Sequence, residues 1–241
     1  MTNASSQVLN VDADERAKFE ALAARWWDPE GDSRPLHDLN PARQAYVCSR
    51  VAVRDQALLD VGCGGGIFSE SLAAAGAKVT AIDVAEKALN VARLHLFESQ
   101  LEVDYRAITV EELAAEQQDA TPYRVITCME MLEHVPEPWS VVQACAELLA
   151  PGGHVFFSTL NRTPKAFAVA ILGAEYAMGL LPRGTHQYRK FIRPSELSAW
   201  CREAGLQVED ISGMHYNPIT RDAKTGPGVQ VNYLLHATKL A

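Results

Sequence analysis

Two glutamates and a histidine stand close together in the segment CMEMLEHVPEPW, residues 128–139. Glu130, Glu133 and His134 are spaced as i, i+3 and i+4, so a helical conformation would put their side chains on one face. Two carboxylates and an imidazole could bind a divalent cation, with magnesium favoured by the oxygen-rich set, and a hydroxyl bound to that ion would be acidified. Alternatively, His134 alone could take the proton of a phenol as a general base. The third alternative is a segment that only packs and caps.

A glycine-rich loop is the second candidate for chemistry. The stretch LLDVGCGGG, residues 58–66, predicts a buried strand that ends in a loop without side chains, where a ligand can contact the backbone. Gly62, Gly64 and Gly66 are spaced as GxGxG, and Ile67 stands where the dinucleotide fingerprint GxGxxG has its third glycine. Without that glycine, a cofactor that contains a pyrophosphate is disfavoured.

An aspartate completes this pattern. Asp83 ends the next apolar segment, AKVTAID, and a carboxylate at that place can accept hydrogen bonds from both ribose hydroxyls of a nucleoside. The glycine loop and Asp83 together predict a nucleoside-containing ligand. The alternative is a tight turn that only packs a helix against a strand.

The elements that must position these residues alternate between strand and helix after Gln56. In parallel sheets of this kind both faces are covered and the ligand binds beyond the carboxyl ends of the strands. The pattern predicts one α/β domain over residues 1–241, with an N-terminal helical extension over residues 1–54 and an inserted segment over residues 163–193. The predicted strands are 57–61, 78–82, 102–106, 123–128, 154–159, 206–211 and 231–238; the predicted helices are 14–27, 67–75, 86–98, 110–116 and 139–149.

Composition excludes several classes of protein. The chain has 241 residues and a formal net charge of −8, which disfavours nucleic acid as a partner. Its five cysteines include no CxxC pair, so neither a disulfide framework nor a structural zinc site is predicted. The N-terminus has no apolar core segment typical of a signal peptide, and no run of 18 apolar residues predicts a transmembrane span. We therefore expect a cytoplasmic protein.

Three features together resemble the seven-stranded class I S-adenosylmethionine-dependent methyltransferases. They are the motif DVGCGxG after the first strand, the acid that ends the second, and the sequence PGG before the fifth. The resemblance implies a doubly wound, mostly parallel, seven-stranded sheet, Rossmann-like in architecture. It also implies that residues 62–66 contact the methionine part of the cofactor, that Asp83 contacts the ribose, and that Met129 flanks the adenosine and the reacting methyl. Asp60 stands where the family has an acid that orients the loop; capping of backbone amides and direct ligand contact are equally open.

A more specific resemblance covers nearly the whole chain from about Phe19 onward. The chain is similar to the bacterial ubiquinone biosynthesis O-methyltransferases in the segments ARWWDPEG (24–31), PLHDLNPAR (35–43), CMEMLEH (128–134), FFSTLNR (156–162), GAEY (173–176), PRGTH (182–186), KFIRPSEL (190–197), HYNP (215–218) and GPGVQVNYLLH (226–236). The resemblance implies methylation of a ring hydroxyl on polyprenylated catechol intermediates of the 2-polyprenyl-6-hydroxyphenol and 3-demethylubiquinol type.

The resemblance also assigns roles to individual residues. It implies cofactor contacts for Arg43, in the family's NPxR motif, and for Gly62, Gly64, Asp83 and Met129. Relatives in eukaryotes use a divalent metal at the positions of Glu130, Glu133 and His134, which implies Mg²⁺ as a second cofactor and catalytic roles for His134 and Glu130. Without the resemblance, Arg43 is better explained as a surface or helix salt bridge.

Two other functions are compatible with part of this pattern. A nicotinamide-dependent reductase would share the strand, loop and acid, but Ile67 and the absence of a Tyr-x-x-x-Lys pair disfavour it. A non-catalytic cofactor-binding subunit of a membrane-associated biosynthetic complex is disfavoured by the intact set Glu130, Glu133 and His134.

A membrane contact is predicted within the insertion. Residues 166–181, AFAVAILGAEYAMGLL, carry one charge, are too short to span a bilayer, and are followed by Arg183, Arg189, Lys190 and Arg193. Apolar residues beside basic ones suit a helix that lies on an anionic bilayer surface, while a lid over the active site is the equal alternative. The expected partners are the polyprenylated substrate, an anionic membrane surface at the inner face of the cytoplasmic membrane, and other enzymes of ubiquinone biosynthesis.

This contact is testable by co-sedimentation with anionic liposomes. We expect the purified protein to sediment with the vesicles, and the double substitution Ile171→Glu and Leu172→Glu to abolish sedimentation without changing cofactor affinity. A wild-type protein that stays in the supernatant at low salt would contradict the prediction.

Overall fold

The structure is a computed structural model that describes residues 10–117, 122–168 and 188–241. Its strands form one sheet with the order β3-β2-β1-β4-β5-β8-β6-β7. Strands β1 to β5 are joined in parallel, whereas β8 is antiparallel to both β5 and β6, and β7 is antiparallel to β6. The strands are β1 (Ala57–Val61), β2 (Lys78–Asp83), β3 (Val103–Ala107), β4 (Tyr123–Met129), β5 (Leu149–Leu160), β6 (Leu206–Asn217), β7 (Asp222–Gly226) and β8 (Asn232–Lys239).

Helices cover both faces of this sheet. They are α1 (Ala13–Leu22), α2 (Arg34–Cys48), α3 (Ile67–Ala74), α4 (Glu86–Ser99), α5 (Val110–Glu116), α6 (Pro138–Leu148), α7 (Pro164–Ala166) and α8 (Pro194–Glu203), with short 3-10 helices at Ala23–Arg25, Leu132–His134 and Tyr188–Lys190. Consecutive residues of the central strand β1 enter opposite cores: Leu58 packs in the layer that includes Tyr46 of α2, and Leu59 in the layer that includes Val141 of α6. This two-sided burial explains why β1 is a continuous apolar run.

The predicted fold class is confirmed, but the strand count and several bounds differ. The described residues form eight strands rather than seven, because β6 continues past the predicted end at 211 and pairs with β7. The sequence DAKTG of β7 lacks a strong apolar pattern, and no residue of this edge strand is fully buried. Strand β5 begins at Leu149, so the sequence PGG lies inside it, and α1 ends at Leu22 rather than at 27.

The structure describes only the two ends of the inserted segment, residues 163–168 and 188–193. Residues 169–187, which hold Ile171, Leu172, Arg183 and most of the predicted membrane contact, lie outside the described residues. Beyond them, the Nζ of Lys190 lies 2.8 Å from Asp12 and 3.5 Å from Glu15, so this member of the predicted basic cluster contacts the N-terminal extension. Among the described helices, none is both long and apolar enough to cross a membrane.

The turn between β6 and β7 holds α2 against the sheet. The Asp38 carboxylate of α2 accepts hydrogen bonds from Tyr216 Oη at 2.7 Å and from Arg221 Nε and Nη2 at about 3 Å. Arg221 also forms an ion pair with Glu30. Because α2 carries Arg43, this contact fixes the position of a predicted site residue.

We expect Asp38→Ala to lower the free energy of unfolding by about 1–3 kcal/mol, since Tyr216 and Arg221 would lose a shared acceptor. For a chain of this size that corresponds to a fall in Tm of roughly 2–4 °C per kcal/mol, measured by calorimetry. Glu30→Ala is the matched control, because Glu30 is exposed and contacts the same arginine; its effect should stay below about 0.5 kcal/mol. Equal losses in the two variants would contradict this assignment.

Candidate active site

A cavity of about 540 Å³ opens at the carboxyl ends of β1, β2 and β4, as expected for a parallel α/β sheet. Its walls come from the glycine loop, the segment after β4, helices α1 and α2, and the β6 and β8 strands. Each site residue predicted from the sequence lines this one cavity: Arg43, Gly62, Gly64, Asp83, Met129, Glu130, Glu133 and His134. The structure brings the set together, while the role of each residue stays a prediction.

The glycine loop is approached by the protein's own side chains. Gly62, Gly64 and Gly66 have φ of +72°, +54° and +87°, a region that disfavours other residues. A Cβ at Gly64 would lie 2.3 Å from the Trp26 ring, and one at Gly62 would lie 2.4 Å from Met131 Cγ. The missing side chains therefore make room for Trp26 and Met131 as well as for a ligand, a role that the sequence did not indicate.

Asp83 ties the end of β2 to the glycine loop. Its Oδ2 accepts a hydrogen bond from the Gly64 amide and its Oδ1 accepts one from the Ala85 amide, each at 2.8 Å. Burial raises the pKa of this carboxyl, against the opposing effect of the two amides. Since each carboxylate oxygen can accept more than one hydrogen bond, Asp83 retains capacity for ligand hydroxyls.

Asp60 is anchored by hydroxyl groups. It is buried, and it accepts hydrogen bonds from Ser69 Oγ at 2.6 Å and Thr127 Oγ1 at 2.7 Å. Burial raises its pKa to about 6, although both hydroxyls act in the other direction. Asp60 therefore links β1 to α3 and β4 through these hydroxyls, rather than capping backbone amides. Its direct contact with a ligand stays a prediction.

Arg43 is one end of a buried polar chain. The residue is 4% exposed, and its Nη2 lies 2.7 Å from Glu130 Oε2. The other oxygen of Glu130 accepts a hydrogen bond from Asn232 Nδ2 at 2.7 Å. The Nε of Arg43 has no hydrogen-bond partner among the described residues, so this cation fits a second anion such as a ligand carboxylate. Arg43 therefore does form a salt bridge from a helix, as the alternative interpretation held, but a buried one rather than one on the surface.

The backbone conformation of Glu130 is incompatible with the α-helix considered for this segment. Its φ is +53°, and its amide donates to Ser158 O at 2.9 Å and to Ser158 Oγ at 3.1 Å. The α-helical face assumed for Glu130, Glu133 and His134 does not form, because the chain leaves β4 in a left-handed conformation and then makes one 3-10 turn.

The three predicted metal ligands have separate partners. Glu133 is 3% exposed and accepts a hydrogen bond from Thr159 Oγ1 at 2.7 Å, and burial raises its pKa. His134 Nδ1 lies 2.9 Å from Glu15 Oε2. In the parts of the chain that the structure describes, no three histidine, cysteine, aspartate or glutamate side chains are arranged to hold a metal ion. The residues present do not fit the predicted Mg²⁺ site.

Sequence reasoning missed Glu15 and Asn232. Glu15 lies in the polar helix ADERAKFEAL, whose composition is typical of a solvated surface. Asn232 is the first residue of β8, directly before the apolar run Tyr-Leu-Leu. Each acquires its place through contacts more than a hundred residues away along the chain, for which no local signal exists.

Comparisons with known proteins identify a family for this chain. Residues 14–211 match a family model described as a methyltransferase domain. A ubiquinone biosynthesis O-methyltransferase from Marinobacter nauticus is 58% identical over 228 residues, 95% of this chain and 96% of that one. The protein of the same name from Azotobacter vinelandii is 59% identical over 226 residues, 94% of this chain and 97% of that one.

Solved structures show the same fold at much lower identity. Magnesium protoporphyrin IX methyltransferase from Synechocystis with bound S-adenosylhomocysteine superposes with a TM-score of 0.68 at 19% identity, covering 93% of this chain and 97% of that one. Its complex with S-adenosylmethionine gives 0.62 at 18% identity, covering 96% of this chain and 100% of that one. These neighbours establish the class I methyltransferase fold.

These two relatives match this chain over nearly its full length. The reductase alternative and the non-catalytic alternative are not supported by any of these matches. The protein is an enzyme, and it belongs to the ubiquinone biosynthesis O-methyltransferase family.

Proposed function

We propose that this enzyme transfers a methyl group from S-adenosylmethionine to a phenolic hydroxyl of polyprenylated catechols of the 2-polyprenyl-6-hydroxyphenol and 3-demethylubiquinol type. The observation that carries the proposal is that one cavity is lined both by the residues predicted to bind the cofactor and by His134. The names of relatives at 58–59% identity over almost the entire chain support the acceptor class.

Different residues of the cavity match different parts of S-adenosylmethionine. Arg43, with its unpartnered Nε, matches the carboxylate of the methionine part, and Asp83 matches the ribose hydroxyls. Gly62, Gly64 and Met129 also line the cavity. When bound, S-adenosylmethionine supplies an electrophilic methyl group on a sulfonium.

His134 is the proposed base. It removes the proton of the acceptor hydroxyl, so that the phenolate oxygen attacks the methyl carbon in line, and alignment within the cavity supplies much of the rate. The catalytic role predicted for Glu130 depended on metal chelation. We propose instead that Glu130 holds the buried Arg43 and Asn232 in place.

No step is routed through Mg²⁺, because the predicted ligands have other partners. The predicted association with an anionic membrane surface also belongs to the proposal. It is supported by the apolar sequence of residues 166–181 and by the basic residues that follow. One of these basic residues, Lys190, pairs with Asp12, so the cluster has one cation fewer for an anionic surface. Peripheral localisation at the inner face of the membrane, and contact with other biosynthetic enzymes, depend on the same sequence argument.

We expect Arg43→Gln to weaken S-adenosylmethionine binding by about 10- to 150-fold in calorimetric titration, because a charge-assisted hydrogen bond is worth about 1.5–3 kcal/mol. Decarboxylated S-adenosylmethionine, which lacks the carboxylate, should bind the wild type and Arg43→Gln with similar affinity.

The matched control for this prediction is Arg50→Gln. Arg50 lies just beyond α2 and pairs with Asp210 at 2.7 Å, and it does not line the cavity. This variant should retain wild-type affinity for both ligands. If Arg43→Gln weakened the two ligands equally, the carboxylate contact would be excluded.

We expect His134→Ala to lose about 10²- to 10⁴-fold in turnover of a short-chain catechol while it keeps its affinity for S-adenosylmethionine. His154→Ala is the control, since His154 contacts His236 on the sheet away from the cavity. Wild-type turnover should survive exhaustive chelation. Full activity of His134→Ala would refute the base, and loss of activity on chelation that Mg²⁺ restores would reinstate the metal.

A further inference from the structure

Helix α1 contributes a buried carboxylate to the active site although it lies outside the sheet. Glu15 is 4% exposed and is the only buried residue of α1. A glutamate is rarely buried to this extent unless it is paired. Its surroundings therefore indicate a specific role.

Two residues of α1 hold the ring of His134. Glu15 Oε2 lies 2.9 Å from His134 Nδ1. Phe19, one turn later, meets the imidazole edge-on, with ring centroids 5.0 Å apart and an interplanar angle of 84°. One contact fixes the ring in its own plane and the other fixes the tilt of that plane, so α1 determines the orientation of the imidazole.

The charges around Glu15 keep it ionised. Lys18 Nζ lies 3.1 Å from its Oε1, and Lys190 Nζ lies 3.5 Å from the same atom. Burial would raise the pKa of Glu15, but the hydrogen bonds from His134 and Lys18 outweigh it and lower the pKa to about 2. An ionised carboxylate only accepts hydrogen bonds, so the proton of a neutral imidazole is on Nδ1 and the basic nitrogen is Nε2.

We propose that Glu15 is a positioning residue for methyl transfer, which fixes the tautomer and orientation of His134 so that Nε2 faces the acceptor hydroxyl. The inference rests on the proposed function, in which His134 is the base. The hydroxyl proton passes to Nε2, and the phenolate oxygen forms its bond to the methyl carbon. The carbon–sulfur bond breaks as its electron pair returns to sulfur, and the proton later leaves His134 for solvent.

The kinetic test compares Glu15→Gln with the wild type on two acceptors, catechol and 4-nitrocatechol, of which the second is already ionised at the assay pH. We expect kcat on catechol to fall by about 10- to 100-fold, with the KM for S-adenosylmethionine unchanged. The loss on 4-nitrocatechol should be within about threefold, because an ionised acceptor needs no base.

The matched control is Glu20→Gln. Glu20 lies on the same helix and pairs with Arg16 and Lys87 rather than with His134, so wild-type kinetics on both acceptors are expected. The proposal would be overturned if Glu15→Gln showed the same kinetics as Glu20→Gln. Equal losses on the two acceptors would also overturn it, since a purely structural role would affect both.

A second measurement needs no turnover. In ¹⁵N-histidine NMR of the wild type, with the His134 signals assigned by their loss in His134→Gln, we expect the Nδ1-protonated tautomer. The Nε2-protonated tautomer would overturn the proposal. If the wild type methylated no catechol, the proposed function would fail, and the tautomer would still decide the contact between Glu15 and His134.

Discussion

A buried cation has to be paired, and the pairing of Arg43 determines how the cavity is built. The guanidinium comes from α2 in the N-terminal extension, and its partner Glu130 follows β4 in the sheet. Breaking such a pair by removing one partner costs about 3–5 kcal/mol, because the other charge is left buried and uncompensated. The ion pair therefore requires α2 and the end of β4 to stay together, and Glu130, in a left-handed backbone conformation, contacts both Arg43 and Asn232.

Much of the fold could be predicted because its signals are local. The run from Leu58 to Val61, the glycines after it and the acid at Asp83 form a strand, a loop and a strand end within 26 residues, and the structure places them together at the cavity. The alternation of apolar strands and amphipathic helices likewise gave the parallel part of the sheet. Strand β7 was missed because an exposed edge strand has little apolar pattern to detect.

The interior of the site was harder to predict, for a physical reason. Spacing suggested a helical face for Glu130, Glu133 and His134, but hydrogen bonds from the Glu130 amide to Ser158 on the neighbouring strand fix a different backbone. Glu15 reaches His134 across 119 positions of sequence, and Trp26 covers Gly64 across 38. Such contacts depend on how the N-terminal extension packs on the sheet, which no single segment encodes. The extension is thus part of the active site rather than an accessory to it.

In the proposed mechanism, one cavity binds the cofactor's carboxylate at Arg43 and the acceptor's hydroxyl at His134. The most direct test is a crystal structure of the enzyme with S-adenosylhomocysteine and a short-chain catechol. We expect the ligand carboxylate within hydrogen-bond distance of Arg43 Nε and a catechol hydroxyl within that distance of His134 Nε2. A carboxylate bound away from Arg43, or a catechol whose hydroxyls both lie out of reach of His134, would contradict it.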